Sequence, residues 1–368
     1  MKRAIISVSN DLSTDQRVQR TISVLRDEGY EVLFVGRLLP ESKAFNPAYS
    51  TKRFKLWFRR GWAFYATLNL RLFFFLLFKK VDLLWSNDLD TLLPNYLVSR
   101  IRGKVLIYDS HEYFCGVPEI QGRPLVKKVW QSIEAWIFPR LKRVITVNES
   151  IAELYEQDYA LRPKVVRNVA SAFVPERFKS RKELGLPEEA YLVINQGSGI
   201  NVDRGMEEFL AALMLLPKEV QLMVVGRGDV IPLLKKQVKD LNLAQRVHFI
   251  PPQPYQELLH YTAAADLGIS LDKNSNINYR YSLPNKIFDY IKCGIPLLIS
   301  DLKEPKKIVM ENGLGKVCSH EASDIAQKVL AMQAEGKEFY RAGLVAAAQK
   351  YNWEKEQKVI CEMLDELG

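Results

Sequence analysis

The residues of this chain best suited to chemistry stand just after short apolar runs. In "NQGSGINVDRG", Gly197 and Gly199 let the backbone approach a ligand, with Ser198 between them, and Arg204 adds a fixed cation where a helix begins near Gly205. That arrangement suits a phosphate; the same residues also describe a plain turn with a surface arginine. In "YSLPNKIFDYIKCGIPLLIS", Pro284 opens a predicted helix that Gly294 and Pro296 end after about three turns. Lys286 and Asp289 lie on one side of it, three residues apart. There Lys286 can meet a phosphate, and Asp289 can accept hydrogen bonds from a vicinal diol such as ribose. The alternative is a local Lys–Asp pair worth ~0.3 kcal/mol on a solvated face.

Other candidates are less specific. His111 in "YDSHEYF" follows an apolar run and is equally consistent with a structural or a functional role. "VVGRGD" is a second glycine-rich turn of a common kind. Cys115, Cys293, Cys318 and Cys361 have no paired spacing for zinc or redox chemistry, so reduced thiols are expected. No compact carboxylate cluster points to a bound magnesium ion. The first apolar run leads into "NDLSTD" rather than G-x-G-x-x-G, which weighs against a dinucleotide-dependent oxidoreductase.

These residues need elements to hold them. "RAIISVS", a helix capped by Thr14 or Asp15 and ended by Gly29, and "EVLFVG" form one strand–helix–strand unit. "VDLLWSND", "KVLIYDS" and "RVITVNES" continue the rhythm, and "YLVINQGSG", "QLMVVGRGD", "RVHFIPPQ", "ADLGISL" and "IPLLIS" repeat it. Continuous apolar strands alternating with helices predict parallel sheets covered on both faces, and 368 residues favour two such α/β domains. The expected division is a doubly wound domain over 1–170, a second over 171–350, and a closing helix over 351–368. Ligands in such folds collect at the carboxyl edge of the strands, where all the candidates fall.

The net charge of +9 lies entirely in the first half: residues 1–168 hold 27 Lys and Arg against 17 Asp and Glu, the remainder 25 against 26. Lys52, Arg53, Lys55, Arg59 and Arg60 alternate with Phe54, Trp57 and Phe58 ahead of an apolar stretch from Trp62 to Phe78. Residues 52–80 therefore suit peripheral contact with an anionic membrane; the alternative is a core helix with a solvated basic lead-in. Asn69 and Arg71 argue against a membrane span. No nucleic-acid reader motif accompanies the charge. Too few apolar residues follow Lys2 and Arg3 for a signal peptide, so a cytoplasmic location is expected, with possible association with the inner face of the cytoplasmic membrane.

"LPNKIFDYIKCGIPLLIS" resembles the signature of the retaining glycosyltransferases of family four, and "STDQRVQRTISVLRDEGYEV", "YDSHEYF", "NQGSGINVDRG" and "YNWEKEQ" extend the resemblance over nearly the whole chain. It implies two facing Rossmann-like domains, the B-type glycosyltransferase fold, with an acceptor-binding first domain and a nucleotide-sugar-binding second one. Asp289 would hold the ribose, Lys286 and Arg204 the diphosphate, and the backbone at Leu283, Pro284 and Asn285 would help cradle it. His111 would lie near the reacting sugar, and "FIPPQPYQ" would supply backbone contacts to the nucleobase. The chain departs from the family at Tyr281, eight positions before Asp289, where a glutamate is usual, and at Ser198, often a cation.

The implied activity is transfer of a sugar from a nucleotide-sugar donor, a UDP- or GDP-sugar, to a hydroxyl of a saccharide or lipid-linked acceptor, with retention and without a metal or other cofactor. Cell-surface polysaccharide or glycolipid synthesis would use such an enzyme. A sugar-nucleotide epimerase on the same architecture and a non-catalytic nucleotide-sugar-binding protein are the alternatives.

Overall fold

A computed structural model describes residues 1–367 except 14, 41, 43 and 173. The chain divides into two compact units, Met1–Asn168 with Glu356–Gly368, and Val169–Lys355. Each is built on its own parallel sheet.

The first unit contains β1 (Arg3–Asp11), β2 (Glu31–Leu38), β3 (Ser50–Lys55), β4 (Leu83–Asn87), β5 (Val105–Ser110), β6 (Val144–Thr146) and β7 (Lys164–Val165), in the order β3-β2-β1-β4-β5-β6-β7. Every pairing is parallel. The chain winds outward from β1 in one direction and then from β4 in the other, so the sheet reverses between β1 and β4. Asp15 caps the helix Gln16–Asp27 by accepting from the Val18 amide, as expected; Thr14, the other expected cap, lies outside the described residues.

The expected basic lead-in is itself a strand, β3, at the sheet edge. Lysines at an edge discourage pairing with another chain, while Phe54 turns inward and is buried. Arg53 turns toward Asp11 (3.8 Å) and lies over the Phe45 ring, which removes it from the exposed basic cluster. The helix Gly61–Phe78 combines both readings of its sequence. Phe64, Leu68, Leu72 and Leu76, spaced by four, are buried with Ile5, Val35 and Leu84. On the opposite side Trp62, Leu70, Phe74 and Phe78 are 81%, 61%, 51% and 79% exposed. The helix has the length and composition to cross a membrane, but one face belongs to the core.

The second unit contains β8 (Tyr191–Gly197), β9 (Val220–Gly226), β10 (Val247–Ile250), β11 (Leu267–Ser270), β12 (Leu297–Ser300) and β13 (Gly315–Cys318), in the order β10-β9-β8-β11-β12-β13, with the reversal between β8 and β11. The helix Lys286–Lys292 packs Ile287, Phe288, Tyr290 and Ile291 inward. Gly268 of β11 makes room for the Tyr290 ring, which any side chain there would strike, and the Tyr290 hydroxyl donates to the Ile194 or Ile269 carbonyl. This helix has seven residues, about two turns rather than three, because Pro284 and Asn285 supply only acceptors for its first turn. At the other end of the chain, the helix Trp353–Asp365 enters the first unit from Glu356 onward.

Candidate functional site

The second unit gathers its charged candidates at the carboxyl ends of β8 and β11, where the sheet order reverses. Gly197 ends β8 with φ 145°, a conformation that a side chain would strain. Ser198 and Gly199 follow on the exposed surface. The loop is bonded to its neighbour: the Arg227 amide donates to the Gly197 carbonyl and the Ile200 amide to the Arg227 carbonyl. Methyl groups at Gly226 or Gly228 would collide with the Gly197 and Ile200 carbonyls. The glycines of "VVGRGD" therefore serve this backbone packing.

Gly205, at φ 74°, precedes the helix Met206–Leu213 and lies against Leu271 too closely to admit a side chain. Arg204, beside it, donates from Nη1 to Asp272 Oδ2 (2.8 Å) and lies 4.2 Å from the Tyr279 ring centre. Burial acts to lower the guanidinium's pKa, and Asp272 together with Tyr279 more than offsets it, so the net direction is upward. Lys286 Nζ donates to Asn195 Oδ1 (3.0 Å) at the end of β8 rather than to Asp289. Its pKa is lowered by burial, with Asp272 pulling upward and Arg204 downward. Asp289 accepts from Gln196 Nε2 (3.0 Å) and from the Tyr255 hydroxyl (2.7 Å), while the Thr262 hydroxyl donates to Gln196 Oε1. Lys286 and Asp289 thus attach to separate partners on β8 and on the helix Tyr255–Ala264, and the local-pair reading is corrected. Leu283 packs on the core, Pro284 is half-buried and Asn285 is exposed at the helix start.

His111 lies in the first unit, at the corresponding edge. Its amide donates to Asp88 Oδ1 (2.9 Å), and its ring approaches Asp88 (3.5 Å), Asp109 (3.5 Å) and Asp15 (3.9 Å). Asp15 and Asp88 come from the turns after β1 and β4, and Asp109 from the end of β5 itself, so three aspartates far apart in sequence converge on His111. Among the described residues no His, Cys, Asp or Glu group has the arrangement to hold a metal. Burial lowers the imidazole's pKa, but Asp88, Asp109 and Asp15 more than reverse this and carry it to about 9. Asp109 is also held by Arg17, whose Nε and Nη2 donate to it at 3.0 and 2.7 Å. Burial would raise the Asp109 pKa, but Arg17 and His111 bring it to about 2. Burial pushes Asp90, two residues beyond Asp88, up to about 7, and Asp88 adds to that rise.

Sequence reasoning missed Asp272, Tyr279, Asn195, Gln196 and Tyr255 in the second unit, and Asp15, Asp88, Asp109 and Arg17 as a group in the first. For three of them a signal was available: "WSND", "IYDS" and "ISLD" place Asp88, Asp109 and Asp272 at or just beyond the end of an apolar strand, at the edge where ligands bind in such sheets.

Two doubly wound domains with charged side chains at the reversal points define a class of two-domain α/β proteins that handle ligands at strand ends. The family description Glycosyltransferase Family 4 matches residues 15–170, and Glycosyl transferases group 1 matches residues 192–335. Together these spans make up most of the chain, which belongs to this glycosyltransferase family. Its two parallel-sheet domains have the B-type glycosyltransferase fold. Anabaena HepE in complex with UDP aligns over all of both chains at 17% identity and a TM-score of 0.76. Sucrose-phosphate synthase from Thermosynechococcus elongatus aligns over 100% of this chain and 99% of its own at 17% identity and a TM-score of 0.79. A glycosyltransferase from Rickettsia africae aligns over 99% and 98% at 12% identity and a TM-score of 0.74. At these identities the structural likeness speaks for the fold. No curated protein sequence matches the chain.

Proposed function

We propose that this glycosyltransferase transfers a sugar, with retention, from a UDP- or GDP-sugar to the hydroxyl of a saccharide or lipid-linked acceptor. Its place would be in cell-surface polysaccharide or glycolipid synthesis. The observation that carries the proposal is the gathering of Arg204 and Lys286 at the reversal point of the second sheet, next to a glycine loop and to the oriented carboxylate of Asp289. HepE, which shares the fold, has been solved with UDP and with UDP-glucose.

In this reading the two cations stabilise the charge that grows on the departing diphosphate. Held in place before the reaction, they need little reorganisation as it proceeds, and they take the part a metal ion would otherwise play. Asp289, fixed by Gln196 and Tyr255, accepts from the ribose hydroxyls. The acceptor hydroxyl attacks the face the nucleotide leaves, and the departing phosphate takes up its proton. His111, whose imidazole pKa the surrounding aspartates raise to about 9, would face the acceptor in this reading.

The outward stripe of Trp62, Leu70, Phe74 and Phe78 supports peripheral contact of this region with the cytoplasmic face of an anionic membrane. Arg59 and Arg60 precede it and Lys79 and Lys80 follow it, all exposed, and each adds ~1 kcal/mol near such a surface. Sedimentation with vesicles should show binding to phosphatidylglycerol that Trp62→Ser with Phe74→Ser abolishes; binding that survives both changes removes the stripe from the proposal.

The donor test is thermal unfolding against UDP-, GDP-, dTDP- and CMP-sugars and the free nucleotides. A ligand at a hundredfold its Kd stabilises by about 2.7 kcal/mol. A shift with one nucleotide family identifies the donor class. A folded protein that responds to none refutes the proposed nucleotide-sugar donor.

A further inference from the structure

We propose that Asp272 is a positioning residue that fixes the guanidinium of Arg204 at the carboxyl edge of the second unit and acts on the ligand only through that arginine. The inference rests on the reading that Arg204 faces the diphosphate.

Three consecutive residues after β11 grip three consecutive residues before the helix Met206–Leu213. Leu271 lies against Gly205, where no side chain fits between them. Asp272 accepts from Arg204. The Lys273 amide donates to the Asp203 carbonyl at 2.8 Å, and the Lys273 ammonium pairs with Glu208 in the first turn of that helix. The backbone on both sides of Arg204 is therefore pinned, the Tyr279 ring supports its face, and Asp272 sets the direction in which it points.

Asp272 is poorly explained as a stabilising residue. It is 1% exposed, and its Oδ1 is enclosed with no hydrogen-bond partner. Burying a carboxylate with one oxygen unpaired carries a desolvation cost that a single ion pair offsets poorly. What the arrangement supplies is geometry and charge balance. Without Asp272, Arg204 and Lys286 would be two like charges in one half-buried place. With it, an incoming diphosphate must compete for Arg204, which weakens binding of the ground state while the guanidinium stays where a departing phosphate needs it.

The test uses inorganic pyrophosphate, the part common to nucleoside diphosphates, titrated calorimetrically into the full chain. It is paired with the nitrogen-15 spectrum of the arginine Nε–H groups, in which Arg204→Lys identifies the Arg204 signal. In the wild type the enclosed Nε should give a sharp, slowly exchanging signal. Asp272→Asn should bind pyrophosphate roughly tenfold more tightly and lose that sharp signal. Unchanged affinity and an unchanged Arg204 signal would overturn the proposal, even with a lowered Tm, because a merely structural role moves only the Tm. Should Asp272→Asn not fold, Asp272→Ala reads the same two quantities. Arg204→Ala separates the two ideas: if it leaves pyrophosphate affinity intact, Arg204 does not face the diphosphate, whereas the Asp272 result is still decided by the Nε signal.

Discussion

Asp88→Asn should return His111 toward an ordinary histidine. In the folded protein burial works against the imidazolium, and Asp88 leads the carboxylates that restore it and carry the pKa from 6.5 to about 9. At 1.36 kcal/mol per pKa unit, that difference stabilises the fold by at most ~3.4 kcal/mol. Because the folded value is the higher one, the contribution is complete below pH 6.5 and disappears as the pH rises through 9. The wild type should therefore lose stability across that window. An opposite charge within a few ångströms is worth ~1–3 pKa units, so Asp88→Asn should lower the His111 pKa by about that amount and move the loss of stability to lower pH. The chain has only four histidines, so nitrogen-15 spectra of the imidazoles can follow each through a titration. Burial lowers the His248 pKa, which gives an internal contrast. A His111 that titrates near 6.5 in the wild type, or that ignores Asp88→Asn, refutes the electrostatic account of this site.

Arg17→Met should destabilise the first unit by about 3–5 kcal/mol in chemical denaturation, because it strands the buried Asp109 carboxylate; a loss under 1 kcal/mol would contradict the pairing. Asp289→Ala should weaken nucleotide binding by ~1.5–3 kcal/mol through lost charged hydrogen bonds, measured by calorimetry on folded protein; unchanged affinity would remove Asp289 from the site. Glu134 is buried, which pushes its carboxyl up to about 7 despite the Tyr159 hydroxyl that donates to it. Its folded value exceeds the unfolded one, so it costs stability as pH rises from about 4.5 to 7, and Glu134→Gln should raise the Tm more at pH 8 than at pH 5. An equal change at both pH values would count against that assignment.

The strands that fill the middle of each sheet were legible because burial on both faces demands continuous apolar runs, as in "RAIISVS" and "YLVIN". β3, β7 and β13 were not. β7 has two residues, β13 is only partly buried, and β3 is a polar edge strand whose pattern is broken only by Phe54. The helix Gly61–Phe78 could be read as a helix, but apolar residues all round it hid which face met the core. At the candidate site, Gly197, Arg204 and Lys286 were readable from their place after strands or at a helix start. Their partners were not: Asp272 is 68 residues from Arg204 and Asn195 is 91 from Lys286, separations that only the sheet order closes. The cluster at His111 was hidden for the same reason, because β1 lies beside β4 in the sheet but not in the sequence.

The glycine turns after β8 and β9 share hydrogen bonds in both directions, from the Arg227 and Val230 amides of the second to the Gly197 and Ile200 carbonyls of the first, and from the Ile200 amide of the first back to the Arg227 carbonyl. Neither turn can open without releasing the other's amides to solvent. The two should exchange deuterium as a single cooperative unit, and a ligand that touches only the first should slow exchange in the second.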